Sequence, residues 1–246
     1  MSKKERAANR TERAAEIQVQ QARRERDRKM LIVAVVVVVL AAVVAAGVLL
    51  SGRDDAAPAA SGSAPKATAS GQSLVVGNDP SAATKIVIYE DFLCPYCREL
   101  ETSSRGFLRT DAKKGAVQVE YRPFHLLQDD YSTLALTAWA AVLKNGTPAQ
   151  ALKFHDLLYD NQPYESDTNK PGIDDLVALA KKAGVTDSTV LDAMKQPDQA
   201  FVDAADAAAQ KANVQGTPTV LVNGKQLDGA SIADLSDQLK KLGAQG

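Results

Sequence analysis

The segment Cys94-Pro95-Tyr96-Cys97 holds the only two cysteines of this 246-residue chain. A C-x-x-C pair with no other thiol indicates redox chemistry or metal binding. Residues 85–89, Lys-Ile-Val-Ile-Tyr, predict a buried strand just before it. That strand is expected to lead into a helix at the first cysteine, where unpaired N–H groups and the macrodipole stabilise a thiolate. The spacing therefore predicts an activated, exposed Cys94 and a more sheltered Cys97 one turn later.

The overall composition allows one sizeable folded domain with appendages. The chain is 45% hydrophobic and 24% charged, and its formal net charge is −1. A charge so close to zero gives no reason to expect nucleic acid as a partner. The aromatic content of 5% also argues against a surface on which bases could stack. We therefore predict that the chain has no nucleic-acid partner.

Residues 31–50 form an apolar run, LIVAVVVVVLAAVVAAGVLL, without a charged or polar side chain. As a helix, about twenty such residues match the roughly 30 Å hydrocarbon core of a bilayer. The apolar region of a cleavable signal peptide is usually shorter, about 7–15 residues. No cysteine follows the run closely, which excludes a lipoprotein anchor. The run therefore predicts a single transmembrane helix that is retained.

Charged residues on the two sides of this run predict its orientation. Residues 1–30 contain ten Lys and Arg against five Asp and Glu, whereas Arg53, Asp54 and Asp55 follow the run. The positive-inside rule then makes residues 1–30 a cytoplasmic basic tail and places everything after residue 50 outside the membrane. A single-pass protein of the cell membrane is expected, and outside the membrane a cysteine pair can stay oxidised.

Residues 51–72 and residues 73–246 differ in pattern. The first stretch is rich in Ala, Ser, Gly and Pro and has no apolar periodicity, so it predicts a flexible linker. The second predicts a folded extracytoplasmic domain that begins with a βαβ unit, continues with a block of helices, and ends with a hairpin and an amphipathic helix. Asn223-Gly224 is the strongest short signal for that hairpin.

This element order, combined with two motifs, resembles the DsbA-type thiol–disulfide oxidoreductases and their membrane-tethered actinobacterial forms. The motifs are residues 90–97, Glu-Asp-Phe-Leu-Cys-Pro-Tyr-Cys, and residues 216–218, Gly-Thr-Pro. The resemblance covers roughly residues 73–246. It implies an α/β, thioredoxin-like fold with a helical insertion, preceded here by a single transmembrane helix. It also implies that Pro218 is cis and lies beside the cysteines, with the backbone of Thr217 free to pair with a substrate.

The catalytic residues that this interpretation predicts are the two cysteines. Cys94 is the expected nucleophile, and Cys97 is expected to resolve the mixed disulfide. Four further residues are expected to shape the active site: Pro95, Tyr96, Thr217 and Pro218.

One position departs from the pattern of many thioredoxin-fold enzymes. They carry a buried acid six residues before the first cysteine, where this chain has Ile88. Glu90 and Asp91 are the nearest acids, and strand alternation would place them on opposite faces. Assistance in proton transfer is one role open to either acid, but we expect both to be solvated residues at the end of the strand. The sequence therefore assigns no proton acceptor for Cys97.

Other uses of the cysteine pair are disfavoured by spacing. His125 and His155 complete a Cys2His2 count, but their separation is unlike that of structural zinc sites. Arg98 follows Cys97 where covalent haem attachment requires a histidine. We therefore predict no metal and no cofactor. A structural disulfide remains an alternative, although so short a loop gains little stabilisation from chain entropy.

The sequence thus predicts a protein disulfide oxidoreductase that forms disulfides in secreted or envelope polypeptides. Its expected partners are those substrates and a membrane reoxidant of the quinone-linked DsbB or VKOR type. A reductase or isomerase, and a non-catalytic anchored binding module with a structural disulfide, are the alternatives. The reduction potential, the direction of the reaction and the oligomeric state do not follow from spacing.

Overall fold

A mixed six-stranded sheet carries the domain. The structure, a computed structural model, describes residues 65–77, 79, 81–82 and 84–244. The strands are β1 (Ala67–Ser70), β2 (Ser73–Val76), β3 (Thr84–Glu90), β4 (Val117–Pro123), β5 (Thr219–Val222) and β6 (Lys225–Gln226). Their order across the sheet is β1-β2-β4-β3-β5-β6. Only β3 and β4 pair in parallel, and the other neighbours are antiparallel.

Helices connect these strands and form an insertion. In the described part of the chain they are α1 (Pro95–Lys114), α2 (Asp130–Asn145), α3 (Pro148–Asp160), α4 (Ile173–Lys182), α5 (Ser188–Ala193), α6 (Gln199–Lys211) and α7 (Ile232–Gly243). Strand β3, helix α1 and strand β4 form the predicted βαβ unit. Helices α2 to α6 separate that unit from the β5–β6 hairpin and α7. The fold is therefore the expected thioredoxin-like α/β fold with a helical insertion.

Local sequence signals explain where the insertion helices begin. Thr147 is the N-cap of α3, and its side chain accepts a hydrogen bond from the Gln150 amide. The Gln150 side chain accepts one from the Thr147 amide in return, which completes a capping box. Pro148 occupies the first helical position, where its missing N–H has no intrahelical partner to lose.

The core joins the sheet to the insertion through aromatic side chains. Trp139 of α2 is fully buried, and its ring centroid lies 6.0 Å from that of Phe92 and 6.3 Å from that of Phe201. Its indole Nε1 donates a hydrogen bond to the Ala151 carbonyl at 3.1 Å, so its polar atom is satisfied inside the core. Phe92 follows β3 and leads into α1, so this cluster fixes the insertion against the segment that carries the cysteines.

The start of the folded domain differs from the prediction. Ala67–Ser70, placed by the sequence in the flexible linker, forms β1 and pairs with β2 at the edge of the sheet. Its residues are mostly exposed, so it carries no apolar alternation that would have indicated a strand. No helix among the described residues is long and apolar enough to cross a bilayer. The predicted span at residues 31–50 and the basic tail before it lie outside the described residues.

Replacing Trp139 by alanine is expected to destabilise the domain by roughly 3–5 kcal/mol, because it leaves a cavity between α2 and Phe92. Chemical denaturation followed by circular dichroism measures the change. Tyr164→Ala is the matched control, because Tyr164 is 72% exposed, and it should shift the free energy of unfolding by no more than about 0.5 kcal/mol. Equal losses in the two variants would contradict the assigned role of Trp139.

Candidate active site

Cys94 lies where the central strand turns into a helix. Strand β3 ends at Glu90, and Cys94 is the N-cap of α1 with Pro95 in the first helical position. The amides of Cys97 and Arg98 donate hydrogen bonds to the Cys94 carbonyl at 3.1 and 3.2 Å. The helix therefore begins at the first cysteine, as predicted. Its unpaired N–H groups and partial positive charge lie next to the Cys94 sulfur.

Both cysteines are free thiols, and both are more enclosed than the sequence suggested. Cys97 is fully buried as expected, but Cys94 is only 4% exposed, so the prediction of an exposed Cys94 is wrong. The Cys94 sulfur donates a hydrogen bond to the Thr217 carbonyl at 3.4 Å. Nε2 of Gln162, from the insertion, donates to the carbonyls of Cys94 and Phe92, each at 3.0 Å. These contacts cover Cys94 from two separate parts of the fold.

The two thiols differ strongly in acidity. A hydrogen bond with Cys97, opposed by burial and assisted by Thr217 and by backbone N–H groups at the helix start, lowers the pKa of the Cys94 thiol to about 6. Burial, together with the neighbouring Cys94 and the charge of Glu90, raises the pKa of the Cys97 thiol well above its ordinary value. At neutral pH the pair therefore holds one thiolate at Cys94 and one protonated thiol at Cys97.

The remaining motif residues form the rim of the site. The peptide bond between Thr217 and Pro218 is cis, as the resemblance implies. Among the described residues, none accepts a hydrogen bond from the Thr217 amide. Tyr96 is 60% exposed beside the buried Cys94. The structure thus brings Thr217 to Cys94, whereas the functional roles of these rim residues stay predictions.

Asp91 is not a solvated strand-end residue. It is fully buried and accepts hydrogen bonds from the amides of Leu93, Leu126 and Leu127 at 2.9 to 3.0 Å. The hydroxyl of Ser132 donates to the same carboxylate at 2.7 and 2.8 Å. This carboxylate holds the segment after β4 and the start of α2 against the approach to Cys94. The expectation of solvation fails because these partners lie 35 or more residues away in sequence, apart from Leu93.

Glu90 is also fully buried, in a cluster of ionisable side chains that the sequence interpretation missed. Its Oε1 lies 2.6 Å from Nε2 of His155 in α3. Burial opposes protonation of His155, but the charge of Glu90 and hydrogen bonds with Asp156 and Glu90 raise its pKa to about 10. Glu101 of α1 is 1% exposed beside this pair. Helical spacing in the sequence could have indicated that Glu101 is buried, since it belongs to the buried helical stripe that includes Cys97 and Leu108.

The same cluster is where the described residues come closest to a metal-binding arrangement. The ligand atoms of Glu90, Glu101 and His155 all lie within 4.8 Å of one another, and no other group of three or more His, Cys, Asp or Glu in the described chain does so. Neither cysteine belongs to it. His125 lies elsewhere, with its amide donating to Asp206 at 2.9 Å. The Cys2His2 set counted from the sequence is therefore not assembled.

Comparison with known proteins identifies the family. Residues 69–241 match the thioredoxin family model. The chain belongs to the thioredoxin family. It is 30% identical over 154 residues to the probable disulfide bond formation protein D of Bacillus cereus, a match that covers 61% of this chain and 69% of that protein.

Solved structures of thioredoxin-family enzymes agree with this assignment. DsbA from Mycobacterium tuberculosis in its reduced form is 27% identical, with a TM-score of 0.58 and coverage of 70% of this chain and 92% of that one. MdbA, a thiol–disulfide oxidoreductase from Corynebacterium diphtheriae, is 24% identical, with a TM-score of 0.61 and coverage of 76% of this chain and 100% of that one. This similarity supports the fold alone. The resemblance to DsbA-type enzymes is confirmed, and the chain is a thiol–disulfide oxidoreductase.

In the dithiol protein we expect one thiol to ionise with a pKa of about 6, and the other to stay protonated through the neutral range. Because the pKa of Cys94 is lowered, its thiolate stabilises the folded dithiol form, and this contribution is lost as the pH falls through 6. Ultraviolet absorbance of the thiolate measures the titration. Cys94→Ser should remove the low transition, and Cys97→Ala should raise it. Two thiols titrating together at an ordinary thiol pKa would contradict the assignment.

Asp91→Asn is expected to destabilise the domain by roughly 2–3 kcal/mol, since the amide group cannot accept all the hydrogen bonds that the carboxylate accepts. Denaturant unfolding measures the change in the free energy of unfolding. Asp192→Asn is the control, because the side chain of Asp192 is 71% exposed and pairs only with Lys195. If Asp91→Asn were as stable as the control, the loop after β4 would not depend on this carboxylate.

Proposed function

We propose that the chain catalyses disulfide formation in secreted or envelope polypeptides through a Cys94/Cys97 dithiol–disulfide cycle, with Cys94 as the nucleophile. The observation that carries this proposal is the opposite shift of the two pKa values across one helical turn. A thiolate stabilised at a helix N-terminus is a good leaving group and a good attacking group. A buried partner thiol three residues later can form with Cys94 the internal disulfide that a substrate thiolate opens.

The cycle transfers two electrons from a substrate dithiol to the enzyme disulfide. A substrate thiolate attacks Cys94, the bond between Cys94 and Cys97 breaks, and Cys97 departs with the electron pair. The second substrate thiolate then attacks the substrate sulfur of the mixed disulfide and releases Cys94 as a thiolate. The substrate leaves as a disulfide, and the enzyme is left as a dithiol.

The acidity of Cys94 favours the oxidising direction. Because the thiolate is stabilised in the folded protein, the dithiol form is stabilised relative to the disulfide form, which makes the disulfide a stronger oxidant. A reductase or isomerase would use the same two cysteines, but an external donor would supply electrons to them. A measured reduction potential separates the two directions, and a strongly reducing value would overturn the proposed one.

The surroundings of Cys94 suit an extended polypeptide. The unpaired amide of Thr217 lies in the segment that contacts the Cys94 sulfur, where an added strand could hydrogen bond to it. On another side, a groove of about 490 Å³ runs from Pro95 to Tyr164. Tyr164 and Tyr96 are 72% and 60% exposed, and exposed tyrosines are common anchors in protein interfaces. We assign Pro95, Tyr96, Thr217 and Pro218 to the shaping of this surface.

A membrane location and a reoxidant complete the proposal. The apolar run at residues 31–50 and the basic excess before it support a single-pass anchor with the enzyme outside the membrane. Each turnover leaves two electrons on the cysteine pair, and the chain has no further cysteine to receive them. An external acceptor is therefore required, and a quinone-linked membrane protein of the DsbB or VKOR type would supply it.

Cys94→Ser is expected to abolish oxidation of a reduced, unfolded substrate protein by the full-length enzyme, because it removes the attacked sulfur. When it is offered disulfide-bonded substrate, Cys97→Ala should instead accumulate mixed disulfides, because the Cys94 thiolate attacks the substrate disulfide and no Cys97 thiol is present to displace the substrate. Non-reducing electrophoresis with mass spectrometry detects both outcomes. Full activity of Cys94→Ser would refute the nucleophile, and a lack of adducts with Cys97→Ala would refute the cycle.

A further inference from the structure

Glu90, Glu101 and His155 form a polar cluster inside the protein beside Cys97. They are 0%, 1% and 0% exposed. Both carboxylate oxygens of Glu101 and Oε2 of Glu90 have no hydrogen-bond partner among the described residues, whereas Nδ1 of His155 faces Asp156 at 3.6 Å. Buried polar atoms are nearly always satisfied, so three unpartnered carboxylate oxygens in a single cluster indicate groups that exchange protons or bind something.

The charges around this cluster do not balance when Glu90, Glu101 and Asp156 are all ionised. The ionisable groups that face it come from four elements: Glu90 from β3; Cys97, Glu101 and Arg109 from α1; Tyr121 from β4; His155, Asp156 and Tyr159 from α3. Three carboxylates then face two cations, Arg109 and protonated His155. One additional proton on a carboxylate makes the cluster neutral, which burial strongly favours.

Hydrogen bonding decides which carboxylate carries that proton. Arg109 donates two hydrogen bonds to Asp156, which keeps Asp156 ionised. His155 is hydrogen bonded to Glu90. Glu101 has no cationic partner of its own, so it is the group left to hold the proton. Burial, followed by the charge of Glu90, raises the pKa of Glu101 to about 8, in agreement with this assignment.

The position of Glu101 relates it directly to Cys97. The two residues are four apart on α1, so their side chains share one face of the helix, and both belong to its buried stripe. The charge of Glu90 acts on both of them. Cys97 is fully buried, and solvent therefore cannot deliver a proton directly to its sulfur.

We propose that Glu101 is the acid that protonates Cys97 when this sulfur leaves the disulfide, and that the Glu90–His155 pair positions Glu101 for that step. The inference rests on the proposed cycle. A substrate thiolate forms a bond to Cys94, the bond between Cys94 and Cys97 breaks, and its electron pair stays on Cys97. Cys97 takes the proton of Glu101, and the Glu101 carboxylate recovers that proton when the cysteine pair is reoxidised. In the reverse direction the Glu101 carboxylate accepts the proton as Cys97 attacks.

The same three side chains would also offer a divalent cation two carboxylates and an imidazole. We assign a proton because the imidazole nitrogen nearest the carboxylates is already hydrogen bonded to Glu90 at 2.6 Å, and Arg109 adds positive charge close by.

The test is the rate at which excess dithiothreitol reduces the full-length disulfide protein, measured by quenched-flow alkylation across the pH range 5 to 9. General acid catalysis is typically worth about 10²–10⁴-fold, so Glu101→Gln should slow the reaction about tenfold or more at neutral pH. The acid form of Glu101 exists only below its pKa of about 8, so the advantage of the unmodified protein should disappear as the pH rises through that value. Glu101→Asp should restore part of the rate that Glu101→Gln loses.

Asp192→Asn is the control, since the side chain of Asp192 is 71% exposed on α5 and its substitution should leave both rate and pH profile unchanged. If Glu101→Gln does not fold, Glu101→Met takes its place, because an apolar side chain suits the buried site and cannot transfer a proton. An unchanged rate and pH profile in either folded variant would overturn the role of Glu101 while leaving the proposed cycle intact. One equivalent of bound divalent metal, lost in the Glu101→Gln protein, would also overturn it. Failure of the unmodified disulfide protein to oxidise any dithiol would instead refute the proposed function.

Discussion

The short hydrogen bond between Glu90 and His155 connects the two halves of this fold at its redox site. Glu90 ends the central strand β3, four residues before Cys94, and His155 lies on α3 of the helical insertion. Both side chains are fully buried, so either one alone would leave an uncompensated charge in the core. Beside them, Arg109 of α1 pairs with Asp156 of α3. Strand, active-site helix and insertion are thus joined by one set of buried charges.

The insertion is consequently part of the active site as well as of the fold. The thioredoxin-like unit supplies the helix start at Cys94 and the Thr217 carbonyl that meets its sulfur. The insertion supplies Gln162, which donates to the carbonyls on either side of Leu93, and His155, which is hydrogen bonded to Glu90, whose charge raises the pKa of Cys97. A change in how the insertion packs would therefore alter the acidity of the thiols without touching the C-x-x-C motif.

The features predicted from the sequence are those encoded over a few residues. The helix start at Cys94 and the hairpin around residues 223–224 each depend on local hydrogen bonding or backbone conformation. The burial of Glu90 and Asp91 could not be found in this way, because their partners lie up to 65 residues away and come together only through the parallel β3–β4 pairing and the insertion. Strand β1 was missed for a different reason, since an exposed edge strand has no apolar alternation to indicate it.

The opposite acidities of Cys94 and Cys97 place a requirement on the interior of the protein. When the disulfide opens, Cys94 can remain a thiolate at the helix start, but Cys97 is enclosed where a negative charge is strongly disfavoured. A thiol of high pKa is also a poor leaving group unless a proton reaches it as the bond breaks. In the proposed cycle every turnover therefore delivers a proton to Cys97, and the buried, unpartnered carboxylate oxygens of the described chain belong to Glu90 and Glu101. The arrangement that stabilises the outer thiolate thus creates the need for an inner acid, and one continuous helix, α1, carries both cysteines and Glu101.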